Sequence, residues 1–145
     1  MKHQKDKIVK YLKIQSRTEN LSKVRKFVSD AAKKFGFDED EINHIALAVD
    51  EACTNIIRHA YENQGDKIIE IHLLTSNNSF EVRIIDYGKP FEPEKIRKPD
   101  LKHHLERYNK GGLGMFLMRS LMDKVEYQIN KNNHNEVRLI KKLNK

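Results

Sequence analysis

The sequence predicts an α+β two-layer sandwich, with helices packed on one face of a mixed, mostly antiparallel sheet. Three observations lead there: a strand-like run near the N-terminus, two successive segments with apolar residues three and four apart, and a later switch to short runs of period two. Ile8-Val9-Lys10-Tyr11-Leu12-Lys13-Ile14 alternates in part and is rich in β-formers, as suits an edge strand. Thr18-Glu19-Asn20 then provides a cap-like start for a first helix, whose Leu21, Val24, Phe27, Val28, Ala31 and Ala32 recur at helical spacing up to Gly36. Asp38-Glu39-Asp40-Glu41 caps a second, longer helix, in which Ile42, Ile45, Val49, Ala52, Ile56 and Ala60 continue that period for about six turns. After a turn at Asn63-Gln64-Gly65-Asp66, Lys67–Thr75 and Phe80–Asp86 read as two strands joined by Ser76-Asn77-Asn78-Ser79. Tyr87–Gly112 holds all three prolines and few periodic apolar residues, which marks a long loop of the kind that carries function. A third helix at Leu113–Met122 and strands near Val125–Asn130 and Glu136–Lys142 close the chain, with no internal repeat.

The 145 residues suit one domain spanning 1–145. No apolar run approaches the roughly 20 residues of a membrane span, and Met1-Lys2-His3-Gln4-Lys5 leads into no signal-peptide core, so no membrane association and a cytoplasmic location are expected. The single cysteine, Cys53, can form no intramolecular disulfide and lies near the core stripe of the second helix, as a small buried apolar residue would. His59, His103 and His104 show no metal-ligand spacing. With 28 Lys and Arg against 21 Asp and Glu the net charge is +7, which points to an acidic partner or a polyphosphate ligand. The basic residues are scattered and no aromatic-basic ribbon accompanies them, so direct nucleic-acid binding is not expected.

Chemistry-bearing residues gather in three places. On the second helix, Glu51, Asn55 and Arg58 fall within about 60° of one another, opposite the apolar stripe. A carboxylate can accept a proton, a carboxamide can hold a hard cation and a guanidinium can meet phosphate. A solvated helix face would look the same. The second place is Ile84-Ile85-Asp86-Tyr87-Gly88-Lys89-Pro90, where a strand ends on a carboxylate able to accept from an exocyclic amine and a glycine lets a planar base approach the backbone. It also has the composition of an ordinary turn. The third is Lys110-Gly111-Gly112-Leu113-Gly114-Met115, where open amides at a helix start would suit an anion, although neither a Walker nor a Rossmann pattern is present.

Together, Glu51-Ala52-Cys53-Thr54-Asn55-Ile56-Ile57-Arg58-His59-Ala60-Tyr61, Asp86-x-Gly88-x-Pro90-Phe91-x-Pro93 and Gly111-Gly112-Leu113-Gly114-Met115 resemble the histidine-kinase-like ATPase superfamily of gyrases, heat-shock chaperones, histidine kinases and mismatch-repair proteins. Within it the chain is similar to the bacterial anti-sigma-factor serine/threonine kinases of the RsbW and SpoIIAB type. The resemblance runs from the first strand to Leu139-Ile140-Lys141-Lys142-Leu143, and the Glu51 to Tyr61 segment is its most specific part.

The resemblance implies a Bergerat-type ATP-binding fold with ATP and Mg²⁺ as cofactors, Asn55 holding the metal and Glu51 as the catalytic residue that orients or deprotonates the attacking hydroxyl. It further implies Asp86 on the adenine amine, Gly88 beneath the base, and backbone amides of Gly112, Leu113 and Gly114 toward the phosphates, with Pro90 and Met115 also at the cofactor site. A lid from about Pro93 to Gly111 would close over them, and Arg58, Lys110 and Arg107 are candidate phosphate contacts. Asn133-His134-Asn135-Glu136 departs from the Gly-Thr common at that place, which leaves a supporting contact to the nucleotide pocket open. The implied function is a protein serine/threonine kinase that sequesters a sigma factor and phosphorylates a STAS-domain antagonist, working as a homodimer whose N-terminal strand pairs across a two-fold axis. Two alternatives share the residues: an ATP-gated binding regulator without catalysis, and a detached histidine-kinase catalytic domain.

Overall fold

The computed structural model describes residues 7–90 and 112–144. Strand β1 (Lys7–Gln15) is followed by a 3₁₀ turn (Thr18–Asn20), α1 (Leu21–Phe35) and α2 (Glu39–Asn55), whose last turn widens into a π-helical segment, Ile56–Ala60. Then come β2 (Ile68–Ser76), β3 (Ser79–Asp86), α3 (Gly112–Leu121), β4 (Lys124–Lys131) and β5 (His134–Lys142). The strands form one sheet in the order β1-β2-β3-β5-β4, and every pairing among the described residues is antiparallel. The expected two-layer α+β architecture is present, and β1 lies at the sheet edge as its composition suggests.

Local chemistry accounts for the element ends. Asp38 accepts from the Glu41 N–H (2.8 Å) while the Glu41 carboxylate accepts from the Asp38 N–H, a reciprocal capping box that starts α2. The expected side-chain cap on α1 is not made. Asn20 is already helical and its amide instead donates to Gln15 O (3.0 Å), because the 3₁₀ turn runs straight into α1 and the Leu21 N–H bonds Thr18 O. Gly36 ends α1 at φ 119°, a conformation that a Cβ disfavours. Asn132 and Asn133, at φ 51° and 68°, make the two-residue β4–β5 loop, which favours such residues because its turn needs positive φ twice.

Helix α2 packs against both α1 and α3 and lays Ile45, Val49, Ala52 and Ile56 into the core. Val24, Val28 and Ala32 of α1, Met115, Met118 and Met122 around α3, and the inward rows Ile69-Ile71-Leu73 and Phe80-Val82-Ile84 complete it. Cys53 is fully buried among these residues, and burial pushes its thiol up to about 12. On the other sheet face, residues two apart on one strand pair by charge, Glu81 with Arg83 and Glu136 with Arg138, and His72 Nε2 lies 3.4 Å from Glu70 Oε1. No helix among the described residues is long and apolar enough to cross a membrane.

Candidate functional site

Period-two placement carries the core row of β3 from Phe80 through Val82 and Ile84 to Asp86, so the row ends on a carboxylate instead of an apolar side chain. Asp86 is only 5% exposed and pairs in register with Asn135 of β5, itself 6% exposed. The Gly88 N–H donates to Asp86 Oδ1 (2.9 Å), closing the turn, and Asn135 Nδ2 donates to the same oxygen (3.1 Å) and to Gly88 O (3.0 Å). Burial raises the Asp86 pKa, while the Asn135 and Gly88 donors and the nearby His134 pull against it. Oδ1 thus takes two donors, and a carboxylate has a second oxygen that can accept from a ligand.

Gly88 also sits against the end of α2. A Cβ built on it would lie 2.4 Å from Ala60 O, and the Lys89 N–H donates to that same carbonyl (2.9 Å). The π-helical segment offers this oxygen because its widened turn sends the Tyr61 N–H to Ile56 O. Tyr61 adds a second tie: its buried hydroxyl donates to Ile68 O and accepts from the Tyr87 N–H (2.7 Å). The strand-end turn is thereby clamped to α2 by main-chain and phenol bonds. Beside it, Ala52, Asn55, Ile56, Ala60, Tyr127 and Val137 line a small, mostly apolar cavity of about 30 Å³.

The second part of the site is built by α2 and α3. Gly114, in the first turn of α3, is packed so closely on α2 that a Cβ there would lie 2.6 Å from Glu51 Oε2 and 3.8 Å from Asn55 Nδ2. Around Glu51 and Asn55 the face opposite the apolar stripe is thus partly covered by a helix start, while Arg58 on the same face stays exposed. Burial raises the Glu51 pKa, the neighbouring Asp50 carboxylate raises it further, and Arg58 opposes both. Among the described residues Asn55 Nδ2 is buried without a hydrogen-bond partner. Leaving such a group unpaired costs about 1–3 kcal/mol, so an acceptor for it is expected.

These features suit a magnesium–polyphosphate ligand. The Asn55 carboxamide offers an oxygen for a hard cation and an unpaired N–H for a phosphate oxygen, beside the open amides of a helix start. Among the described residues no group of three or more His, Cys, Asp or Glu side chains could cage a metal, so a cation here would take its remaining ligands from phosphate and water.

Of the residues singled out in the sequence, Glu51, Asn55 and Gly114 are brought together, and Asp86 and Gly88 meet the end of the same helix. Arg58 is exposed on the π-helical segment and acts on Glu51 through its charge. Pro90 is exposed at the last described residue before 91–111. Met115 is buried in the core, so its side chain packs instead of facing a ligand. Gly112 and Leu113 lie in the first turn of α3; Lys110, Arg107 and the expected lid at 93–111 lie outside the described residues. Two contributors were not legible as such: Tyr61, whose hydroxyl bridges two segments far apart in sequence, and Asn135, which bonds Asp86 at the place where the sequence leaves a supporting contact open. The signal for Asn135 was its spacing, two and four residues before the buried Val137 and Leu139, which put a carboxamide on the apolar face of a strand.

A buried acceptor for an amine and a covered carboxylate–carboxamide pair at a helix start define a nucleotide-type site on an α+β sandwich, and the chain belongs to the histidine kinase-like ATPase domain family, whose pattern matches residues 14–141. Among curated proteins it is similar to the serine-protein kinase RsbW of Halalkalibacterium halodurans, at 35% identity over 117 residues, covering 78% of this chain and 71% of that one. It is likewise similar to the serine-protein kinase RsbW of Bacillus subtilis (strain 168), 32% identical over 122 residues, 81% of this chain and 76% of that one. A chain of the SiaB–SiaC complex from Pseudomonas aeruginosa shares the fold at a TM-score of 0.66 and 12% identity, covering 92% of this chain and 89% of that one.

Proposed function

We propose that this chain is an ATP-dependent protein serine/threonine kinase that also acts as an anti-sigma factor, binding a sigma factor and phosphorylating a STAS-domain antagonist on Ser or Thr. The observation that carries the reading is the seating of Gly114 against Glu51 and Asn55, which sets the start of α3 on a carboxylate–carboxamide pair. Similarity to the RsbW kinases supports the reaction class and the partners.

In this mechanism Asp86 Oδ2 accepts from the adenine amine, with Gly88 as the floor under the base. Asn55 holds Mg²⁺, which when bound neutralises phosphate charge. The first-turn amides of α3 at Gly112, Leu113 and Gly114 face the phosphates. Glu51 accepts the proton of the attacking Ser or Thr hydroxyl and holds that oxygen in line; phosphoryl transfer depends more on such positioning than on covalent catalysis. Arg58 supplies positive charge at the rim. The chain works in the cytoplasm as a homodimer through the open edge of β1, which pairs only with β2 in the sheet.

Incubation of the purified chain with labelled ATP, Mg²⁺ and a panel of STAS-domain proteins tests this. Phosphoserine or phosphothreonine on one of them is the expected result. Nucleotide binding without label would make the chain an ATP-gated binding regulator, and phosphohistidine on a partner would make it a detached histidine-kinase catalytic domain.

A further inference from the structure

We propose that Asn135 is a positioning residue that sets the base preference of this site, holding Asp86 as an acceptor and so selecting a purine with an exocyclic amine at position six over one with a carbonyl there. The inference rests on the nucleotide reading of the site and names what that reading leaves open, the origin of its base selectivity.

Asn135 is buried on the core face of β5, directly across from Asp86. A carboxamide nitrogen carries two hydrogens, and here both are used: one on Asp86 Oδ1 (3.1 Å), the other on Gly88 O (3.0 Å). With the Gly88 N–H, Oδ1 accepts from two donors at once. A proton on Asp86 would then favour Oδ2, the oxygen that the nucleotide reading sets toward the base, and would make it a donor. Such a group would favour a base carbonyl; the ionised group accepts from a base amine. Two donors fixed on Oδ1 favour the ionised form and oppose burial, which remains the larger influence and leaves the pKa of this carboxyl raised. The bond to Gly88 O does a second job. It fixes the turn whose glycine is pressed on Ala60, so the floor of the base site and its acceptor are held by one side chain.

Calorimetry with Mg²⁺-ATP and Mg²⁺-GTP on the full chain and on Asn135→Asp, Asn135→Ala and Asn135→Thr tests the assignment. Asn135→Asp keeps the shape and removes both donors. ATP affinity should fall about ten-fold or more, and the ATP-to-GTP ratio should move toward one. Asn135→Ala should do the same, and Asn135→Thr, which retains a hydroxyl donor, should recover part of the ratio. A general loss of packing would lower both affinities together and leave the ratio unchanged. If Asn135→Ala, folded as judged by its melting curve, keeps the parental ratio, the proposal is overturned while the site remains a nucleotide site. If the parent itself binds neither nucleotide, the underlying reading fails and this inference fails with it.

Discussion

Glu51 is placed between two opposing influences, with burial and Asp50 holding its proton on and Arg58 drawing it off. A base must be ionised to accept a proton, so a raised pKa means that phosphoryl transfer falls away on the acid side at a higher pH than an ordinary glutamate would give. Removing the like charge in Asp50→Asn should move that acidic limb to lower pH, and removing the opposite charge in Arg58→Ala should move it to higher pH; rate profiles from single-turnover assays decide. Glu51→Gln should reduce transfer by about 10²-fold or more while ATP affinity from titration calorimetry stays near the parental value. Equal loss of both would show that the carboxylate serves nucleotide binding and not proton transfer. Glu51, Asn55, Asp86 and Gly88 could be singled out by residue type and spacing, while their expected roles came from the resemblance of the combined segments. Asn135 could not, because its role depends on a cross-strand partner 49 residues away.

At the level of elements, helix and strand identities could be read from apolar period, and the α2 start from Asp38 and Glu41. The π-helical end of α2 could not, since Ile56 and Ala60 fit an uninterrupted α-helix and only the contact with the β3 turn reveals the widening. That contact leaves no room at Gly88. Gly88→Ala puts a methyl against main chain, which cannot swing aside, so we expect a loss of about 1–3 kcal/mol in denaturant unfolding together with weakened ATP binding. Asp38→Ala removes the α2 cap far from the site and should cost about 1 kcal/mol without changing ATP affinity. The two variants separate a stability effect from a site effect: if Asp38→Ala weakens nucleotide binding as much as Gly88→Ala, the turn is not a specific floor for the base.

Across the whole molecule, the topology explains why segments so far apart in sequence meet. Strands β3 and β5 are central neighbours, so Asp86 at the end of one faces Asn135 near the start of the other, and the C-terminal end of α2 lies over that same sheet end. Helix α3 enters from the long connection after β3 and sets its first turn on α2. The layer architecture followed from the order of periodic segments, whereas strand order did not, because pairing between β3 and β5 depends on where α3 and β4 are placed and not on any local pattern. The account stands on one magnesium–adenine nucleotide being held between α2, the β3 turn and α3. Titration calorimetry of the folded chain with ATP and Mg²⁺ tests it most directly. One nucleotide per chain, with binding lost in Asp86→Ala and weakened when Mg²⁺ is withheld, is the predicted result; no heat from any adenine nucleotide with Mg²⁺ on folded protein would contradict it.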